Sequence, residues 1–343
     1  MAKTNQPSRY GRQEIFYGIG TEGQEKIRKS RVAIVEMSAI GTAVANNLAR
    51  AGVGFIRLID GDYVDISELQ RQSLFTEEDA REERVKAVAL KKYLQKVNSE
   101  VEIEERITAL DGSNADSLFE DVDVVIDATD SFETRMLINE ACHALKKPWI
   151  YGGALAASGM VKAFIPGENE PCFRCFIGDE EYVPGETPTC ATEGVLCSTT
   201  SMIASLQCAE ALKILTGSKS IRKDLISFDL WDNSFDSFVI DKDPDCPVCR
   251  GEYSYYGKAA GAHTVSMCGK DSMQIIPKTE GEVDFERYAK ILEHQGKVKY
   301  TQYTLDFDDG DVQIKLFKTG RAIIKHVTDE KRARAVYAEY IGL

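Results

Sequence analysis

The first 150 residues alternate between short apolar runs and longer stretches with helical spacing. Residues 7–30 are polar and predict an N-terminal helix. They lead into Arg31-Val32-Ala33-Ile34-Val35, a short strand, then a turn of small residues and a helix over 41–51. A second strand covers 55–60, helical spacing covers 79–97, and 101–107 alternates as a strand. The run 122–128 is of the continuous, buried type and ends at Asp127 and Asp130. A helix over 133–146 and a strand over 149–151 follow. This alternation predicts an α/β fold, a doubly wound, mostly parallel sheet with a Rossmann-like nucleotide-binding half.

From 160 to 240 the pattern changes. A strand at 160–165, a loop with cysteines, a helix near 200–216 and strands near 225–230 and 236–240 predict a mixed extension of the same sheet. A Gly- and Tyr-rich stretch, 251–261, ends this unit. The expected domains are therefore 1–255 and a small α+β domain at 262–343. In the second, a helix over 283–295 precedes three strands near 298–306, 311–317 and 321–326 and a closing helix over 329–340.

Composition narrows the setting. The 343 residues are 43% hydrophobic and carry a net charge of −13, which argues against nucleic acid or an anionic membrane as the main partner. No run of 18 apolar residues is present, so no membrane span is expected. The opening Met-Ala-Lys-Thr-Asn-Gln lacks the apolar stretch of a signal peptide. Nine cysteines in such a chain point to reduced thiols, metal binding and the cytoplasm.

Four of those cysteines form two Cys-x-x-Cys pairs, Cys172/Cys175 and Cys246/Cys249. Thiolates at i and i+3 reach one metal from a tight turn, and two such turns complete a tetrahedral zinc shell. With no position left for water, that zinc would be structural and would staple the mixed extension together. Cys142, Cys197, Cys208 and Cys268 read as packing residues. Cys190, in a polar loop between the pairs, is left for chemistry or as a spectator thiol.

The turn after the first strand, Val35-Glu36-Met37-Ser38-Ala39-Ile40-Gly41-Thr42, can bring backbone N–H groups and a helix N-terminus toward phosphates. Ser38, Ala39 and Gly41 are its candidate nucleotide contacts. Asp60 ends the next strand, where an acid reaches a ribose. Arg71 and Lys86 supply positive charge, and Asp130 is placed to bind Mg²⁺ with the phosphates. Taken singly, each is equally well a solvated charge or a cap.

Several segments carry a resemblance: Arg9-Tyr10-Gly11-Arg12-Gln13, Ala51-Gly52-Val53-Gly54, Leu69-Gln70-Arg71-Gln72, Asp127-Ala128-Thr129-Asp130 and the two cysteine pairs, in order over residues 8–250. The chain resembles the MoeB/ThiF family, bacterial relatives of ubiquitin-activating enzymes. The resemblance implies ATP-dependent adenylylation of the Gly-Gly carboxyl terminus of a ubiquitin-like sulfur carrier of the ThiS or MoaD type, in thiamine or molybdopterin synthesis. It implies a ribose role for Asp60, phosphate roles for Arg71 and Lys86, and a Mg²⁺ role for Asp130. Arg12 would reach the nucleotide of the partner subunit in a dimer, with itself or with a paralogue. Cys190 matches a loop cysteine that takes part in covalent sulfur or acyl transfer.

The chain departs from the family at four positions. Glu36 and Ser38 replace loop glycines, Glu68 replaces an asparagine, and Ser131 replaces an asparagine after Asp130. Two like charges about 4 Å apart repel by roughly 4 kcal/mol at an effective dielectric of 20, so acids in the triphosphate's path oppose binding unless they turn away or pair with Arg71. Two other readings therefore stay open: a degenerate, non-catalytic subunit that supports an active paralogue, and a nicotinamide-dependent oxidoreductase built on the same βαβ unit.

Overall fold

A continuous apolar run makes the first strand, β1 (Arg31–Val35), and its last four side chains are all buried. Burial on both faces needs a neighbour on each side and a layer above and below. β1 pairs in parallel with β2 (Phe55–Ile59) and with β4 (Val124–Asp127), and β2 pairs with β3 (Glu102–Arg106). β4 carries β5 (Trp149–Leu155) in parallel. β6 (Ser158–Phe164), β7 (Leu225–Asp229) and β8 (Ser234–Phe238) then extend the sheet antiparallel. The order is β3-β2-β1-β4-β5-β6-β7-β8. The computed structural model describes residues 9–178, 190–258, 263–266, 272–277 and 283–342. They form two compact units that divide between Lys258 and Ala259.

The period of two along β1 sorts the core. Val32 and Ile34 join one cluster, with Val44 and Leu48 of α3 (Ala39–Ala51), Leu90 and Leu94 of a later helix, and Ala204 and Ala211 of another. Ala33 and Val35 join the other cluster, with Phe119, Ile138, Trp149 and Phe173. Helices thus cover both faces, as the strand–helix alternation predicts.

Element boundaries differ where the backbone turns left-handed. The polar N-terminal stretch holds two helices, α1 (Gly11–Ile15) and α2 (Gly20–Lys29), broken at Gly20 with φ 65°. The single helix expected over 79–97 is likewise two. α4 (Glu77–Arg81) opens on a reciprocal cap between Thr76 and Asp79. Glu83, at φ 45°, ends it, and α5 (Lys86–Val97) starts afresh. That break places Lys86 at the first turn of a helix rather than in the middle of one.

α6 (Ala115–Phe119) and α7 (Phe132–Ala144) cover the second face. The short α8 (Phe173–Ile177) and α9 (Cys190–Glu193) and the long α10 (Cys197–Thr216) complete the unit. Its last residues are fastened: the buried Glu140 carboxylate accepts the backbone N–H groups of Ser254 (3.0 Å), Tyr255 (2.7 Å) and Tyr256 (2.9 Å).

The second unit is a six-stranded antiparallel sheet. Its strands are β9 (His263–Ser266), β10 (Ser272–Ile276), β11 (Lys297–Tyr300), β12 (Thr304–Asp308), β13 (Gln313–Phe317) and β14 (Ala322–Lys325), in the order β11-β12-β13-β14-β10-β9. α11 (Phe285–Leu292) and α12 (Glu330–Tyr340) bury Phe285, Leu292 and Val336 against Leu305, Phe307, Ile314 and Ile324. The stretch read as one strand over 298–306 is two, because Thr301 and Thr304 close a turn through a 2.8 Å backbone bond. Cys268 lies outside the described residues.

Candidate functional site: a nucleotide crevice and a cysteine shell

The chain runs from β1 outward to β2 and β3, then crosses back to β4 on the other side of β1. The loops after β1 and β4 therefore diverge and leave a crevice at their C-terminal ends, where doubly wound sheets bind ligands. The first loop is held by Asp60. Its Oδ2 accepts the N–H of Met37 (2.7 Å) and its Oδ1 accepts that of Asp62 (2.6 Å). The Ser38 hydroxyl donates to the Ala128 carbonyl at 2.7 Å and ties the two loops together. Ala39 and Gly41 open α3, whose first turn carries no acid. A Cβ on Gly41 would lie 1.9 Å from the Glu36 carbonyl oxygen, so only glycine fits. Glu36 adopts φ 71°, a left-handed conformation that costs a non-glycine residue about 1 kcal/mol.

Charge crowds this crevice. Lys86 is 4% exposed, and its Nζ lies 3.0 Å from Glu68 Oε1 and 3.2 Å from Asp62 Oδ2. Burial works against the ammonium, but Asp62, Asp60 and Glu68 outweigh it and hold it well above the usual lysine range. Burial raises the Glu36 carboxyl well above the ordinary range, and Asp130, Asp60 and Asp127 raise it further. Burial likewise raises Asp60, against the pull of Lys86. The structure thus gathers Glu36, Asp60, Lys86 and Asp130 into one electrostatic group. Glu36 is not relieved by Arg71, which turns back to donate to the Ser67 carbonyl at 3.2 Å. Arg12 is exposed on α1.

Two supports escaped the sequence reading. Arg135 of α7 donates to Asp127 Oδ2 (2.9 Å) and to the Thr129 carbonyl (2.6 Å), with its guanidinium 4.9 Å from the centre of the Tyr151 ring. Asp127 Oδ1 also accepts the N–H (2.9 Å) and hydroxyl (2.8 Å) of Thr129. Together they clamp the turn that carries Asp130. The buried Gln207 donates to the Asp127 carbonyl at 2.7 Å from the other face. An arginine one helical turn past an Asp-x-x-Asp strand end was the signal available. Ser131 is a benign departure, since its hydroxyl accepts the Thr134 N–H at 3.3 Å and caps α7.

The four paired cysteines converge. Cys172 precedes α8 and Cys175 lies within it, while Cys246 comes just before a single 3-10 turn, Val248–Arg250, that contains Cys249. Their sulfur atoms all lie within 4.8 Å of one another, with separations of 3.9 Å for Cys172–Cys175 and 3.6 Å for both Cys172–Cys246 and Cys175–Cys249. These are too long for disulfides. A tetrahedral zinc with bonds of about 2.3 Å needs sulfur separations of about 3.8 Å, so the donors fit that ion. A hydrogen bond from Cys172 draws the Cys175 thiol well below its ordinary range, while burial pushes Cys249 up. Cys190 lies apart from this shell in the chain. It opens α9, and its thiol donates to the Ala154 carbonyl at 3.1 Å. The residues 179–189 before it lie outside the described ones. Among the described residues, no helix is long and apolar enough to cross a membrane.

Comparison with known proteins places this geometry. The ThiF family matches residues 10–248. The sulfur carrier protein ThiS adenylyltransferase of Bacillus subtilis (strain 168) is 34% identical over 338 residues, 97% of this chain and 99% of its own length. The molybdopterin-synthase adenylyltransferase of Escherichia coli (strain K12) is 34% identical over 243 residues, 71% of this chain and 95% of its own. A crystal structure of E. coli MccB with MccA-N7isoASN shares the fold, with a TM-score of 0.63 at 22% identity over 71% of this chain and 75% of that one. Similarity that runs the whole length of one relative, and a family match covering both the crevice loops and the first three paired cysteines, leave one assignment: the chain belongs to the ThiF family.

Proposed function

We propose that this chain adenylylates the C-terminal carboxylate of a ubiquitin-like sulfur carrier, using ATP and Mg²⁺. The observation that carries the reading is the 34% identity with the ThiS adenylyltransferase over 97% of the chain. The crevice supports it. The N-terminus of α3 opens just past the C-terminal tip of β1, where phosphates are bound in such folds.

Asp60 holds the ribose, Arg71 and Lys86 the phosphates, and Asp130 the Mg²⁺ ion. Ser38, Ala39 and Gly41 form the wall against which the phosphates rest. The Mg²⁺ ion supplies neutralisation of charge on the reacting phosphates. A carrier carboxylate oxygen attacks the α-phosphorus, the bond to the β-phosphate oxygen breaks, and pyrophosphate leaves. The attacking group is already an anion, so no side chain needs to remove a proton. The demand on the protein is charge stabilisation and alignment, which fixed cationic groups provide. Arg135 keeps the Asp130 turn in place through Asp127 and Thr129. Arg12 acts across a dimer, on the partner subunit's nucleotide. Cys190 takes part in the later sulfur transfer. The four cysteines hold a structural zinc, and reduced thiols suit the cytoplasm.

ATP–pyrophosphate exchange tests the reading. Exchange is expected with Mg²⁺ and a carrier ending in Gly-Gly, and none with a carrier lacking the terminal glycine. Tight carrier binding with no exchange would overturn it in favour of a non-catalytic subunit.

A further inference from the structure

The phosphate-binding role above, on which this inference rests, needs Lys86 to have a free ammonium face. In the structure that face is taken. Glu68 Oε1 lies 3.0 Å from Nζ, Asp62 Oδ2 lies 3.2 Å away, and Lys86 is buried with them. Glu68 differs from Asp62 in how it is held. The Asp62 carboxylate also accepts the N–H of Tyr63 through Oδ1, at 2.7 Å, so it is fixed to its own backbone. The other carboxylate oxygen of Glu68, Oε2, is buried and accepts no hydrogen bond from any described residue. A buried carboxylate oxygen without a donor is poorly stabilised, so the Glu68 side chain is held in place chiefly by Lys86. Its backbone is an integral part of the Asp65–Gln72 turn: its carbonyl accepts the N–H groups of Arg71 (3.1 Å) and Gln72 (2.9 Å). The side chain can therefore swing out while the segment carrying Arg71 stays folded.

We propose that Glu68 is a built-in stand-in for a nucleotide phosphate: it occupies Lys86 in the nucleotide-free protein and is displaced when the triphosphate enters. The latch sets the chain's nucleotide affinity, because the incoming phosphates must compete with a resident anion for one cation. An asparagine at the same place, neutral and shorter, would free the side of Lys86 that Glu68 covers and leave it to Asp62. The latch also acts on one part of the ligand only. A nucleotide whose phosphate does not reach Lys86 is indifferent to it, so Glu68 discriminates ATP from AMP.

Calorimetric titration of the full chain with ATP and with AMP, both with Mg²⁺, tests this. Glu68→Gln and Glu68→Asn should each bind ATP about tenfold more tightly than the wild type, while AMP affinity stays within about twofold. Glu68→Asp keeps the charge but shortens the reach to Nζ, and it should also gain affinity for ATP, by a few-fold. Melting curves establish that each variant is folded. Equal ATP affinity in wild type and Glu68→Gln would overturn the latch while leaving nucleotide binding intact. Glu68→Asp behaving like wild type while Glu68→Gln gains would also overturn it, because plain charge repulsion would then suffice. No ATP uptake by any folded variant would remove the nucleotide reading itself, and the latch with it.

Discussion

The cysteine shell and the crevice both gather groups that repel one another ahead of a cation, but they do so in opposite ways. In the shell, four sulfurs sit within 4.8 Å on two short turns, and Cys172 and Cys246 are buried. The donor set is complete and needs nothing beyond one ion. In the crevice, Glu36, Asp60, Asp62, Glu68, Asp127 and Asp130 come from four separate segments, and Lys86 and Arg135 answer only part of their charge. A closed shell makes a structural site, because it leaves no position for a reactant. An open, over-acidic crevice favours a ligand that arrives with its own divalent cation.

Substitutions can break that contrast, beginning with the largest effect. Cys246→Ser should abolish metal binding at the shell and destabilise the protein by on the order of 5 kcal/mol, read by metal analysis and thermal melting. Unchanged metal content would show that the shell is not the binding site. Asp130→Ala should lower carrier-dependent exchange by at least about a hundredfold while metal content at the shell stays the same. A loss of both would mean the two regions are not independent.

A smaller effect concerns pH. The native Glu36 carboxyl titrates above its ordinary range, so the folded state keeps a proton that the unfolded chain releases. Stability at this residue is full below the ordinary glutamate range and falls as pH rises toward the native value. Glu36→Gln should therefore leave the unfolding free energy unchanged near pH 4 and raise it near pH 8, by on the order of 1 kcal/mol, read from denaturation curves at the two pH values. A gain at acid pH instead would reverse the assignment. The smallest effect is expected at Cys190. Cys190→Ala should leave exchange within about twofold and impair only sulfur transfer, whereas loss of exchange would bring that thiol into the adenylylation step.

The same contrast explains what was legible in the sequence. The shell is written in two local spacings, and its partners need only a tight turn each. The strands of the first sheet are legible for a similar reason, because apolar runs such as Val32–Val35 announce their own burial. The Lys86–Glu68 pair joins residues 18 apart, across a break at Glu83 that no periodicity marks. The position of Glu36 could be flagged from the altered loop, but its left-handed backbone and its acidic neighbours come only from the fold. In the second unit, β11 and β12 merge in sequence because only a shift of phase separates Val298 and Tyr300 from Tyr303, Leu305 and Phe307, with no Gly or Pro to mark the turn at Thr301 and Thr304. β9 and β10 are short: β9 pairs with β10 beside it, and β10 joins the sheet through the distant β14.

The three N–H groups gathered by Glu140 bear on how the first unit should be isolated. Truncation before Ser254 would strip all three donors from a carboxylate that is 1% exposed. Such a stranded charge costs roughly 3–5 kcal/mol, enough to unfold a fragment that is otherwise sound. A stop codon placed after Lys258 keeps all three donors. The choice of a few residues at the end of an expression plasmid would then decide whether the fragment is recovered folded or as inclusion bodies.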